Sequence, residues 1–253
     1  MDRLVEVLES LEPGTSEADD GSAVSLRAGN RSYDPGRFRQ TIYKTGNYLR
    51  HCGVHEGAVV EMLPDPAPET VFAMLATWLL GGRVAPVPPE VDGPDAADQR
   101  DGTVAVRLGP TSELPAQPVE PGCTLLGFGA EPADPSVAYF EREIWSENPF
   151  FPETDLPPDR PLFAHDRSTE LDILLDRATD AADGFASTDI VAIRTSLLGP
   201  GTAVAGLLAP LLAGATILLP ADDQVGSVAL AEGQAPEPRT ISPLDDDRTD
   251  TLV

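Results

Sequence analysis

Four residues able to ligate a metal or move a proton fall in one short stretch: His51, Cys52, His55 and Glu56. Zinc sites use such ligands, usually four of them, with defined partners behind each. Gly53 breaks the helix between the two histidines, so they are not expected to share a face, and no metal site is assigned. His165, the third histidine, has no nucleophile motif nearby, and no Ser/His/Asp arrangement can be defended among the three. Cys52 and Cys123 are the only cysteines and have neither paired-ligand spacing nor a disulfide framework. Gly199-Pro200-Gly201 precedes a helical pattern and would present backbone N–H groups to an anion there. The third glycine of a dinucleotide fingerprint is replaced by Val204, which leaves a tight strand-to-helix turn as the expected reading. The residues themselves therefore nominate no catalytic, cofactor-binding or metal side chain, and no cofactor.

The elements that would position any site are clearer. From Tyr33 to Pro89 the chain reads helix, strand, helix, strand. Asp34 caps the first helix and Pro35 suits its first position, while Phe38, Ile42, Leu49 and Cys52 recur near a period of 3.6. Gly53 ends it, with Val54 folding back on Leu49. Ala58 to Leu63 predicts a strand, stopped by Pro64, Pro66 and Pro68. A second helix buries Val71, Phe72, Leu75, Trp78 and Leu79. Gly81-Gly82 closes it before a strand at Val84 to Val87. A helix joining two short strands implies a right-handed parallel β–α–β unit.

Before this unit, Leu4, Val7, Leu8 and Leu11 give residues 1–12 one apolar helical face, and Ala28-Gly29-Asn30 predicts the turn of a hairpin. After it, 90–102 is polar and without periodicity. Short strands are expected at Thr103 to Leu108, Cys123 to Gly127 and Val137 to Phe140. The proline-rich stretch Ser146 to Pro161 reads as an extended crossing between two lobes, with Phe150 and Phe151 pinning it to the core. A strand at Leu162 to Ala164 leads to a helix capped by Ser168, with Leu171, Leu174, Leu175, Ala178 and Ala182 inward. Asp189 to Ile193 is a strand, Thr202 to Ala213 a helix and Ala215 to Leu219 a strand. Leu79-Leu80-Gly81-Gly82-Arg83-Val84 thus echoes Leu211-Leu212-Ala213-Gly214-Ala215-Thr216. Residues 197–220 carry no charge, yet Pro200, Pro210 and four glycines favour a buried helix and central strand over a membrane span. From Ala221 the chain is acidic and reads as a mostly mobile tail, with a short strand within Val225 to Leu230.

Acidic residues number 42 against 17 basic ones, a formal charge of −25, and Lys44 is the one lysine. Acid spread along the whole chain with almost no lysine is the surface of a protein adapted to molar salt, where charges are screened within about 3 Å. Nucleic-acid binding is excluded because phosphate neutralisation needs clustered lysine and arginine. The opening MDRLVEVLES shows no basic region followed by an apolar core, so the cytoplasm is the expected compartment.

The central unit carries a resemblance. Tyr33, Leu49, Gly53, Val54, Gly57, Val60, Pro64, Glu69, Leu75, Ala76, Gly81, Gly82, Pro86 and Val87 stand where the N-terminal part of the acyl-CoA synthetase, or AMP-binding, superfamily has matching residues. Ala58 departs from it, since an acidic residue usually follows the second glycine. Gly206 to Pro220 is also similar to that family's second lobe. The resemblance implies an α/β fold of two related lobes with largely parallel sheets flanked by helices: 1–145, a truncated second lobe at 146–220, and the tail 221–253. It also implies a glycine-rich, lysine-bearing loop for the ATP phosphates after the strand at 162–164. Ala164-His165-Asp166-Arg167-Ser168-Thr169-Glu170-Leu171 stands there instead, with no glycine, no lysine and two acids. Strand is expected to pass directly into helix. The turn near 195–198 likewise offers Thr195, Ser196, Leu197 and Leu198, where the family often has a histidine or aromatic residue facing the acyl pocket. The family's later elements, its Y-G-x-T-E stretch, ribose-binding aspartate and C-terminal lysine, are not found. The expected function is that of a degenerate, non-catalytic relative binding a partner protein, or itself, with a residual acyl or nucleotide ligand as a lesser expectation. The alternatives are one chain of a split ATP-dependent acyl-CoA ligase, or a small-ligand-binding module.

Overall fold

In the computed structural model, residues 3–11, 24–87, 102–114, 121–151, 154, 156–165, 169–221 and 223–243 are described. The chain opens with helix α1 (Arg3–Glu9), strands β1 (Leu26–Ala28) and β2 (Arg31–Tyr33), and helix α2 (Pro35–His51). Asp34 caps α2 as expected: its carboxylate accepts the Arg37 N–H at 2.8 Å. The helix ends with Gly53 at φ +89°, while the Val54 N–H reaches back to Leu49 O and the Gly53 N–H to Arg50 O. This pair of reversed bonds satisfies the last carbonyls of the helix.

Strand β3 (Val59–Met62), helix α3 (Pro68–Leu79) and β4 (Arg83–Pro86) follow as the predicted parallel unit, with Val60 opposite Val84. All twelve residues of α3 are buried. Its end repeats the α2 device, with Gly81 at φ +74° and the Gly82 N–H on Thr77 O. Strands β5 (Val104–Pro110), β6 (Thr124–Phe128) and β7 (Val137–Tyr139) come next, then α4 (Phe140–Trp145), a short helix with no periodic signal in the sequence. The five strands form a wholly parallel sheet in the order β4-β3-β5-β6-β7.

The remaining elements are α5 (Leu171–Ala182), β8 (Ile190–Ile193), α6 (Pro200–Thr202), a π-helical turn (Ala203–Leu208), α7 (Ala209–Ala213), β9 (Thr216–Leu219), β10 (Val228–Leu230) and β11 (Arg239–Ile241). The helical run widens just before Pro210, which has no N–H to offer Gly206. The Ala209 N–H accordingly bonds Val204 O, five residues back. The echo between the halves is real, but its register differs by one. Gly214, at φ +72°, plays the part of Gly81, and β9 starts as far after it as β4 does after Gly81. The second sheet runs β11-β10-β8-β9-β1-β2, parallel except for the β1–β2 hairpin.

The chain divides into two compact units. Gln40–Leu171 forms one, and Arg3–Arg39 with Asp172–Val253 the other. The β1–β2 hairpin belongs with the second sheet because β1 also pairs with β9. The stretch 146–171 belongs with the first. The predicted tail contributes two strands to the sheet: β10 pairs with β8, and β11 extends it. The strand expected within Val225 to Leu230 is β10, whose partner β8 lies upstream, while β11 had no signal in the sequence. The rest of that tail beyond residue 243, the loop at 90–101 and the cap at Ser168 lie outside the described residues. Among the described residues no helix is long and apolar enough to cross a membrane, and the uncharged stretch at 197–220 is divided between the helical run and β9.

Candidate functional site

The segment at 162–164, after which the resemblance places a phosphate loop, adds a short edge to the first sheet. The Val84 N–H donates to Leu162 O, the Ala164 N–H to Val84 O, and Phe163 bridges Val84 in parallel. The chain then reverses, contrary to the expected direct passage into helix. The Leu162 N–H donates to Thr169 O at 3.0 Å, the Leu171 N–H to Arg160 O at 3.1 Å, and Pro161 lies antiparallel to Glu170. Only residues 163–168 separate Leu162 from Thr169, and Asp166–Ser168 lie outside the described residues.

The base of this turn is tied to the end of α3. The buried Arg160 guanidinium donates to Trp78 O from Nε at 3.3 Å and Nη2 at 3.2 Å, and to Pro157 O from Nη1. A cation on the last carbonyls of a helix is favoured by the helix dipole. The Trp78 indole N–H donates to Leu162 O at 3.1 Å, and its ring meets Phe163 edge-on. The exposed His165 ring rests against Phe163 with no hydrogen bond among those described. Arg160 sits between prolines outside any periodic pattern and carried no signal of this role.

Parallel sheets bind ligands where the strand order reverses, outside the carboxyl ends of the strands. In the first unit that point lies between β3 and β5. Leu63 lies directly over Gly109 there, where no Cβ would fit, and packs with Leu114, Leu125 and Val137. Burial, then the nearby charges of Glu113 and Glu69, push the Asp65 carboxyl above its usual range. This crevice is filled by apolar side chains and bordered by acid.

In the second unit the reversal lies between β8 and β10. Arg194, which follows β8, donates from Nε to both Glu237 carboxylate oxygens at 2.9 Å. Its Nη2 donates to Glu237 Oε1 at 2.6 Å and to Gln224 O at 2.7 Å. Burial raises the Glu237 pKa, but the Arg194 bonds and the Gly226 N–H outweigh it and hold the carboxyl below its usual range. The cation is thus committed internally. Thr195 Oγ1 donates to Glu232 at 3.4 Å, and Ser196 Oγ accepts the Leu198 N–H. Gly199, at φ −114°, is extended, and Pro200 begins the helix, as a tight turn requires. A cleft of about 240 Å³ in the same unit is lined by Arg3, Glu6, Val7, Ser10, Leu175, Thr179 and Leu212. Its one cation is bonded to Asp172 and Asp176.

The His51–Glu56 cluster is dispersed. His51 Nδ1 lies 3.2 Å from Glu147 Oε1, and His55 Nδ1 lies 2.9 Å from Glu56 O. Burial raises the Cys52 thiol pKa, against hydrogen bonds with Tyr48 and Thr124 that lower it. Among the described residues no three His, Cys, Asp or Glu side chains are gathered to hold a metal. Of the two phenylalanines expected to pin their segment, Phe151 does so by stacking on Tyr43, while Phe150 is exposed. The sequence reading also missed a buried ion pair between neighbouring strands. Glu61 on β3 accepts from Arg107 on β5 at 2.9 and 2.6 Å. A single acid or arginine inside an apolar strand was the available signal.

No family model and no curated protein matches the sequence. Its fold, however, is similar to solved ligases. An anthranilate CoA ligase in complex with anthranoyl-AMP matches with a TM-score of 0.68 at 17% identity, over 85% of this chain and 44% of that one. An acyl-CoA synthetase from Brucella canis matches at 0.64 and 18%, over 86% and 42%. A benzoate CoA ligase from Burkholderia xenovorans LB400 matches at 0.63 and 16%, over 91% and 50%. The chain spans half or less of the length of each. The α/β architecture, with mostly parallel sheets flanked by helices, is similar to that of these solved ligases.

Proposed function

We propose that this chain, with part of the fold of an adenylate-forming ligase, does not adenylate. It acts instead as a salt-adapted binding protein, partnered by another protein or by a second copy of itself. The observation that carries this reading is the reversal after the edge strand. Its base is closed by the Leu162–Thr169 bond and fixed by Arg160, and the six residues between offer neither glycine nor lysine. A phosphate cradle needs backbone N–H groups free to wrap the anion, and a cation. Here the segment's one arginine, Arg167, is outnumbered by Asp166 and Glu170, so its net charge opposes an anion. The apolar filling at Leu63 and the internal use of Arg194 support the same reading in each unit.

The test is ATP–pyrophosphate exchange in molar KCl across a panel of carboxylic acids, with calorimetry of ATP, AMP and CoA. No exchange and no ATP binding are expected; exchange above background refutes the proposal. A second reading rests on length. A chain covering 42–50% of the solved ligases fits one part of a divided ligase whose remainder supplies the phosphate loop and lysine. Activity that appears only when a second polypeptide is added decides for it.

A further inference from the structure

Trp145 and Phe150 are the most exposed large apolar side chains among the described residues, at 82% and 78%. The backbone that carries them is nevertheless held firmly against α2. Lys44 Nζ donates to Trp145 O at 2.9 Å, and Asn47 Nδ2 donates to Asn148 O and Phe150 O at 2.9 and 2.8 Å. Phe151 then drops into the space above Gly46, where a Cβ would stand 2.5 Å from its ring, and Arg50 covers its face. Two aromatic side chains therefore project from a fixed segment. Anchors whose backbone is already ordered lose little further entropy on binding, and aromatic residues dominate interface energetics.

The charges around them have both signs. Lys44 lies over the Trp145 ring, and Arg142 meets Glu143 at 3.0 Å and Glu131 at 3.5 Å. Glu147 lies beside His51. Exposed pairs of this kind are weak and exchange partners readily. A surface with cations and carboxylates flanking an apolar centre is self-complementary, which a two-fold contact demands. We propose that this face joins two copies of the chain, each pair of aromatics packing on its mate while the flanking charges re-pair across the axis. Two molecules of charge −25 repel each other, so the association requires salt. The proposal deepens the partner-binding reading by naming the partner. Its failure leaves the exchange experiment unaffected, so the two can fall separately.

Sedimentation equilibrium of the full chain in dilute and in molar KCl tests it. A dimer that tightens with salt is expected, and Trp145→Ser or Phe150→Ser should each weaken it about thirtyfold. Ile173→Ser, at an exposed position on α5, should leave it unchanged, and circular dichroism checks that each variant folds. Trp78 is fully buried, so quenching of tryptophan fluorescence reports on Trp145, which should become shielded as the dimer forms. A monomer throughout, a dimer indifferent to both aromatic substitutions, or one that dissolves in salt would each overturn the proposal.

Discussion

Arg107→Met removes the guanidinium from a carboxylate inside the first sheet. The Glu61 side chain is 0% exposed and that of Arg107 6%, with Nε and Nη2 both on Glu61 Oε2. The two residues stand opposite each other in the β3–β5 register. Breaking such a pair from one side costs about 3–5 kcal/mol, because the carboxylate stays buried after its bonds to the guanidinium are lost. At about 1.4 kcal/mol per factor of ten, that is a hundredfold to several thousandfold loss in the folding equilibrium. Replacing both residues removes both desolvation penalties, so Glu61→Met with Arg107→Met should return to within about 1–2 kcal/mol of the parent. The coupling energy of the cycle should then reach about 2 kcal/mol or more. The assay is urea unfolding in molar KCl, followed by the fluorescence of Trp78 in a Trp145→Phe background. The midpoint should move while the slope stays constant. A single variant costing under about 1 kcal/mol would refute the reasoning, and so would a double variant as unstable as the sum of the singles.

Two further predictions concern stability. The Glu237 carboxyl has a folded pKa below its unfolded value, so the unfolded state takes up protons first. Its contribution is present above about pH 4–5 and is lost as pH falls through the folded value. Glu237→Gln should therefore lower stability at neutral pH and flatten its decline in acid; an unchanged acid profile by thermal melting would contradict this. Gly82→Ala places a Cβ 2.9 Å from Thr77 Cγ2 and 3.2 Å from Ala58 O, costing about 1–3 kcal/mol by overpacking. Gly53→Ala meets nothing within 4 Å and should cost about 1–2 kcal/mol, from its left-handed backbone alone. Equal response of the two to Ala→Ser, a further increase in size, would show that contact is not the cause at Gly82.

What the sequence determined by itself was everything set within a few residues. Asp34 had to cap because its side chain reaches the Arg37 N–H, and Gly53, Gly81 and Gly214 had to end helices because they adopt positive φ at little cost. The apolar runs at β3, β5, β6 and β9 fixed strands, and the missing glycine and lysine between 164 and 171 weighed against a phosphate cradle before any geometry was known. Tertiary structure decided what depends on distant partners: that β1 lies beside β9, that β10 and β11 extend the second sheet, that Arg160 ties the turn to α3, and that Arg107 meets Glu61. Strand pairing and buried ion pairs join residues tens to hundreds of positions apart, and no periodicity along the chain encodes which edge will be free to receive them.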